Sequence, residues 1–286
     1  MGPWGRFVDS ISSRLAFFPP EPATYALRNH QDGARELYVH PLNTTDRRKV
    51  LGCEVVQLPT KKCKAGGGGE TIVAAYVPYK RDTVPVILFS HGNAVDLGQM
   101  LPFYKELALQ LQCNVLGYDY SGYGCSTGTP SVANTIADIN ACFDWLLTAK
   151  GKKAMDIVLY GQSVGSGPTI ELAARTPDLG GVILHSPLMS GMRVLNPTWK
   201  RWPAWADIYP NLRLMPQVEA TVLVMHGTED EVVDFSHGQA LHACAKHAAA
   251  PLWATSYNHQ NLELCPQYLP HLKRFLQDLF GKDHIR

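Results

Sequence analysis

The chain has 286 residues, 45% of them hydrophobic, with a formal net charge of +1. That is enough apolar material for one α/β domain with a full core, and the balanced charge, with no basic face, argues against a nucleic-acid partner. No apolar run approaches the ~20 residues needed to cross a bilayer. Arg47-Arg48-Lys49 and Lys61-Lys62-Cys63-Lys64 are short basic runs that read as solvated loops. Seven scattered cysteines without a Cys-x-x-Cys pair point to reduced thiols in a cytosolic setting. The sequon Asn43-Thr44-Thr45 matters only in a secreted chain, and no secretory signal is visible.

In chain order, residues 1–20 form a segment of their own, closed by Phe17-Phe18-Pro19-Pro20-Glu21-Pro22, and residues 21–286 read as one domain. Within the segment Trp4, Phe7, Val8, Ile11, Leu15 and Phe18 recur mostly every three or four residues, the spacing of an amphipathic helix. Packing on the chain's own core, peripheral binding in a lipid interface, and a targeting peptide are all open readings of that stripe. Residues 36–58 and 71–77 look like strands of an opening antiparallel meander, joined by a glycine-rich hairpin loop at 61–69. A buried-type strand at 86–90 follows, then a helix near 99–111, a strand at 114–120, a glycine-rich turn (Gly122, Gly124, Gly128), a helix near 131–149 and a strand at 156–160. Further strands are expected at 182–186, 221–226 and 251–256. Strands alternating with helices imply a mostly parallel central sheet covered on both faces.

Four motifs sit at the carboxyl ends of these strands, where open α/β sheets carry their chemistry. Gly161-Gln162-Ser163-Val164-Gly165 follows the strand at 156–160 and precedes Ile170-Glu171-Leu172-Ala173-Ala174, the strand–turn–helix context of a nucleophile elbow. His91-Gly92-Asn93 follows the strand at 86–90, so Asn93 is expected to offer a backbone N–H to an oxyanion together with Val164, the residue after the serine. The strand at 221–226 runs into His226-Gly227-Thr228 and the acidic cluster Glu229-Asp230-Glu231, with Asp234 a little further on. His259 lies in the loop after the strand at 251–256. The order serine, acid, histidine is the one used by α/β-hydrolases. His91 and His226 read as braces of their His-Gly turns, and Asp119 as a brace of its own. His242-Ala243-Cys244-Ala245-Lys246-His247 has metal-binding residue types but no further ligand nearby, so neither a metal nor another cofactor is expected.

Residues 188–220 form an insertion between two strands, in the position of a lid. Met192, Trp199, Trp202 and Trp205 are its candidate substrate-facing residues, forming either an acyl-binding wall or a packing layer.

Longer phrases are more specific. Leu15-Ala16-Phe17-Phe18-Pro19-Pro20-Glu21-Pro22, Phe89-Ser90-His91-Gly92-Asn93-Ala94-Val95-Asp96-Leu97-Gly98, Tyr118-Asp119-Tyr120-Ser121-Gly122-Tyr123-Gly124 and His226-Gly227-Thr228-Glu229-Asp230-Glu231-Val232-Val233-Asp234-Phe235-Ser236-His237-Gly238 resemble the α/β-hydrolase-domain-containing protein 17 family of palmitoyl-protein thioesterases. The resemblance extends from about residue 15 to residue 280. It implies hydrolysis of palmitoyl thioesters on S-acylated protein substrates, with Ser163, Asp230 and His259 matching the family's catalytic triad. Two departures stand out. Family members usually open with a palmitoylated cysteine cluster that holds them on membranes, and residues 1–18 contain no cysteine. The family's glycine-rich loop before the histidine is replaced by Ser256-Tyr257-Asn258. A carboxylesterase, acylglycerol lipase or serine peptidase of the same fold, and a non-catalytic binding scaffold, are the alternatives.

Overall fold

The structure is a computed structural model and describes residues 17–29, 35–39, 48–62, 67–79, 85–195, 197–198 and 207–282. Strands β1 (Tyr25–Asn29), β2 (Arg35–Val39) and β3 (Arg48–Lys49) form a small antiparallel sheet. The main sheet is built from β4 (Glu54–Pro59), β5 (Thr71–Val77), β6 (Val86–Ser90), β7 (Asn114–Tyr118), β8 (Ile157–Gln162), β9 (Gly181–His185), β10 (Val222–Gly227) and β11 (Leu252–Ala254), in the order β11-β10-β9-β8-β6-β7-β5-β4. The strands from β6 onward pair in parallel; β5 runs antiparallel to both β4 and β7.

The expected opening meander is thus divided between two sheets. The reason is visible in burial: along β2 only Leu37 is fully buried, so that strand covers a face and does not extend the sheet, whereas β5 is buried along almost its whole length.

Helices α1 (Leu97–Leu111) and α7 (Tyr268–Phe280) cover one face of the main sheet; α2 (Val132–Thr148), α3 (Ser166–Ala173) and α6 (Ser236–Cys244) cover the other. Strand residues alternate between these two cores. Val86 and Leu88 of β6 face the α2–α3 side, while Ile87 and Phe89 face the α1–α7 side. All four are fully buried, and at about 2 kcal/mol for each such side chain the strand cannot slip in register, which fixes where its following loop emerges. Helix α1 begins two residues earlier than periodicity indicates, because Asp96 accepts the N–H of Gly98 and Gln99 while the Gln99 side chain accepts the Asp96 N–H. Such a reciprocal cap is worth about 1 kcal/mol.

Strand order reverses at β6, whose neighbours are β7 on one side and β8 on the other. The loops leaving β6 and β8 therefore diverge over opposite faces and leave a crevice at the carboxyl edge of the sheet. The segment assigned to residues 1–20 by sequence reaches this edge: Phe17 is buried in the main core and the Phe18 N–H reaches the loop after β6. The amphipathic stripe from Trp4 to Leu15 lies outside the described residues, as do Asn43, Trp199, Trp202 and Trp205. No described helix is long and apolar enough to cross a membrane.

Candidate active site

Ser163 stands at the junction of β8 and the turn that leads into α3, with φ at 52°. A left-handed conformation in a residue with a side chain costs about 1–3 kcal/mol and persists only where the surroundings impose it. Here they do so sterically. A Cβ on Gly165 would collide with the carbonyl oxygen of Ser90 at the end of β6, and one on Gly161 would sit 2.7 Å from Thr169 Oγ1. Both glycines let the turn press flat against its neighbours. The Ser166 hydroxyl then donates to the Ser163 carbonyl at 2.6 Å, closing the turn from below. Helix α3 starts at Ser166 despite Gly167 and Pro168, since Gly167 lies directly under the ring of Tyr209, where a side chain would collide.

The loops after β10 and β11 supply the other two groups. They continue the pairing of the strands: Thr228 N–H donates to Ala254 O at 2.9 Å and Glu229 N–H to Tyr257 O at 3.0 Å. The bulkier Ser256-Tyr257-Asn258 approach is accommodated by a left-handed Ser256 (φ 66°) and by the Asn258 N–H, which donates to Asn261 Oδ1 at 2.7 Å. In this arrangement His259 Nδ1 is 2.7 Å from Asp230 Oδ2, and His259 Nε2 is 3.0 Å from Ser163 Oγ. Asp230 Oδ1 accepts the N–H of Val232 and Val233, at 3.0 and 2.8 Å. Burial works to raise the Asp230 pKa, but hydrogen bonds from His226 and His259, the charge of His259 and the Val233 N–H outweigh it and hold the carboxylate well below its usual range. Asp234 has a different task. It is exposed, and its carboxylate accepts the Ser236 N–H at the start of α6.

Loop bracing by the other histidines takes specific forms. His226 Nε2 is 2.8 Å from Val233 O and 3.1 Å from Asp230 Oδ2, so its N–H acts as a three-centre donor with the carboxylate as the minor branch. His91 Nδ1 donates to Gly92 O at 2.7 Å, and Tyr120 donates to His91 O at 2.6 Å. Asp119, fully buried, accepts the Tyr25 hydroxyl and the Leu97 N–H. His242 donates to the Ala249 carbonyl at 3.1 Å.

Asn93 and Val164 stand in the segments that follow the neighbouring strands β6 and β8. Val164 is the first residue after Ser163 in the turn leading into α3, among the helix-start N–H groups that have no intrahelical partner. Asn93 lies in the loop after β6, with its side-chain oxygen bonded to the Tyr123 hydroxyl at 2.8 Å.

Relatives now bear on this site. The chain is 42% identical over 270 residues to alpha/beta hydrolase domain-containing protein 17B of Homo sapiens, covering 93% of this chain and 90% of that protein. It is 40% identical over 284 residues to protein 17C of Xenopus tropicalis, covering 93% and 89%. The chain belongs to the α/β-hydrolase-domain-containing protein 17 family. A family model described as "Serine aminopeptidase, S33" matches residues 81–214 of this family member. Among solved structures, an esterase of Pyrococcus furiosus superposes with a TM-score of 0.64 at 18% identity, covering 80% of this chain and 93% of that one. Est1E of Butyrivibrio proteoclasticus gives 0.61 at 18% identity, covering 74% and 97%. At such identities the likeness is one of fold, and the fold is that of the α/β-hydrolases.

Nothing in the local sequence of this family member marks how the insertion is fastened. His237 in α6, fully buried, accepts the Met189 N–H at Nδ1 and donates from Nε2 to the Arg193 carbonyl, both at 3.0 Å. Asn211, which opens α5 (Asn211–Leu214), donates from Nδ2 to Leu188 O at 2.8 Å, and the Tyr209 hydroxyl meets Thr135 Oγ1 at 2.5 Å. Met192, at the start of α4 (Gly191–Leu195), is half-buried and donates its N–H to Asp207 at 3.2 Å. These partners lie on separate elements, so no local pattern marks them. Gln162, inside the elbow motif, carries a tie that the motif does not mark. Its side chain donates to Glu263 at 3.0 Å and ties the residue before the serine to the turn after His259; burial raises the Glu263 pKa.

Proposed function

We propose that this family member is a serine hydrolase of long-chain acyl thioesters, removing palmitoyl groups from protein cysteines, with Ser163, His259 and Asp230 as its catalytic residues. The observation that carries the reading is the continuous run from Asp230 Oδ2 to His259 Nδ1 (2.7 Å) and from His259 Nε2 to Ser163 Oγ (3.0 Å). Ser163 Oγ attacks the acyl carbonyl carbon while His259 Nε2 takes its proton. Asp230 orients the imidazole and stabilises its charged form. The N–H groups of Val164 and Asn93 receive the oxyanion, and loss of one such donor costs about 3–4 kcal/mol. Collapse breaks the C–S bond, and His259 returns its proton to the departing cysteine sulfur. Water, deprotonated by His259, then attacks the acyl-serine, releasing the fatty acid and restoring the serine hydroxyl.

Thioester preference has a chemical basis: a cysteine thiol has a pKa of about 8.5, so thiolate departs far more readily than an alkoxide or amine. The palmitoyl class comes from the family resemblance, with Met192, Trp199, Trp202 and Trp205 as the lid residues assigned to the acyl chain and the membrane surface as the place where such substrates are met. A peptidase is the second reading, favoured by the description of the matched family model. Fluorophosphonate labelling of wild type and of a folded Ser163→Ala variant, followed by turnover of matched palmitoyl thioester, oxoester and amide substrates, tests both. Labelling is expected to vanish in the variant and the thioester to be cleaved fastest. Undiminished labelling of the variant overturns the nucleophile, and amide cleavage at a rate comparable to the thioester overturns the substrate class.

A further inference from the structure

The chain reaches the site at its first described residues. The Phe18 N–H donates to Asn93 Oδ1 at 2.9 Å, with a longer branch to the Tyr123 hydroxyl oxygen at 3.2 Å. The Tyr123 hydroxyl itself donates to Asn93 Oδ1 at 2.8 Å, and the Ala94 N–H approaches the same oxygen at 3.0 Å. Three donors converge on one carboxamide oxygen, although such an oxygen ordinarily offers two lone pairs. Two of them come from 75 and 30 residues away along the chain. Phe17 anchors the arrangement: its ring is buried in the same core as Tyr123 and Val164. The Phe18 ring, by contrast, is 55% exposed, so the residue serves this site through its backbone N–H.

The loop that carries Asn93 needs such support. At one end it is tied down by buried groups, the Tyr120 hydroxyl on His91 O and the β6 strand behind it. Asn93 itself is only half-buried, and the next residue, Ala94, is exposed and left-handed at φ 59°. An oxyanion donor works only when fixed within tenths of an ångström of the developing charge. We infer that the Phe18 backbone N–H and the Tyr123 hydroxyl are positioning groups of the active site: together they clamp the Asn93 side chain and so hold the Asn93 N–H where the oxyanion forms. The inference rests on the serine-hydrolase reading above. It also makes residues 17 and 18 part of the catalytic domain and not of a separate leading segment.

Proline and alanine at position 18 separate the backbone from the ring. Phe18→Pro removes the N–H, Phe18→Ala keeps it, and Tyr123→Phe removes the hydroxyl. Each variant is compared with wild type in the full chain, at a temperature where melting curves show it folded, for its rate of fluorophosphonate labelling and for kcat and KM on a palmitoyl thioester. Phe18→Pro and Tyr123→Phe are each expected to slow labelling and lower kcat by about tenfold with KM changed less than about twofold, the signature of a contact made only in the transition state. Phe18→Ala should stay within about twofold of wild type, and the two damaging changes combined should cost less than their product, since both act through one oxygen. Wild-type labelling in Phe18→Pro, or equal slowing in Phe18→Ala, overturns the clamp. If Phe18→Pro does not fold, Tyr123→Phe decides: an unchanged labelling rate overturns it. A wild-type protein that takes no label overturns the hydrolase reading and this inference with it, whereas a labelled wild type with an unaffected Phe18→Pro overturns the inference alone.

Discussion

The two halves of the site are held by different forces. On the side of β6 and β8, the Ser163 turn is fixed by close contact: Gly165 lies on the Ser90 carbonyl, Gly161 on Thr169, and the strands beneath are buried on both faces. On the side of β10 and β11, Asp230 and His259 sit in loops and are fixed by polar bonds, from Val232, Val233 and His226 to the carboxylate and from Glu229 to the Tyr257 carbonyl. Close packing is unforgiving of added volume, because interiors have almost no free space. A polar network tolerates a change of shape better but responds to charge. Substitutions on the first side should therefore act through geometry and stability, and those on the second through rate and pH.

The largest expected effect tests the polar half. Asp230→Asn keeps the shape of the side chain but presents an amide where His259 Nδ1–H requires an acceptor, so kcat should fall on the order of 10⁴-fold with the melting temperature nearly kept. Asp234→Asn, at an exposed carboxylate that accepts from Ser236 at the start of α6, should retain most activity. Steady-state turnover of the two variants side by side checks the assignment, and the opposite ranking would move the acid to Asp234.

Gly165→Ala probes the packed half. Its backbone φ is ordinary for any residue, so the damage comes from the new methyl meeting the Ser90 carbonyl group and the His91 carbonyl oxygen. Overpacking of this kind destabilises by about 1–3 kcal/mol. Since Ser90 leads into the Asn93 loop, labelling should also slow on the order of tenfold, a rate effect of misplaced groups. Urea denaturation and labelling rates measured together check this; loss of rate with no loss of stability would show that the turn is not held by packing.

The smallest effect lies between the halves. His185, at the end of β9, is fully buried, with Nδ1 at 3.0 Å from the Tyr160 hydroxyl. Burial first, then the charges of His259 and His226, push its pKa down from 6.5 to about 3. The unfolded chain thus takes up a proton near pH 6.5 that the folded protein refuses until near pH 3. Stability from this group is complete above pH 6.5 and declines as the pH drops towards 3, by about 2 kcal/mol at pH 5. His185→Gln cannot take up that proton, so its stability should fall less between pH 7 and pH 5 than wild type's, by about that amount. Denaturant unfolding at the two pH values is the check, and equal losses would place the acid sensitivity elsewhere.

Much of this was legible in the amino-acid order, for identifiable reasons. The strands at 86–90, 156–160 and 221–226 are recognisable because strands buried on both faces need continuous apolar runs. The turn at Ser163 announces itself because its strain demands small neighbours on either side. The sheet position of β2 and β3 was not legible, since polar strands carry no mark of the sheet to which they belong. Nor was the fastening of the insertion through His237 and Asn211, or of Asn93 by Phe18 and Tyr123, because those bonds join residues 23 to 75 positions apart.

Sequence by itself determined the fold class, the strand ends at which Ser163, Asp230 and His259 stand, and their order along the chain, because each depends on local apolar periodicity and on turn chemistry within a few residues. The family resemblance had already singled out Asp230; only the tertiary structure shows its bond to His259, the lean of His226 on the same carboxylate, and the closing of the entering chain at Phe18 on Asn93. Those outcomes follow from how loops separated in sequence meet at one edge of a twisted sheet, which the packing of both faces sets and no single segment encodes.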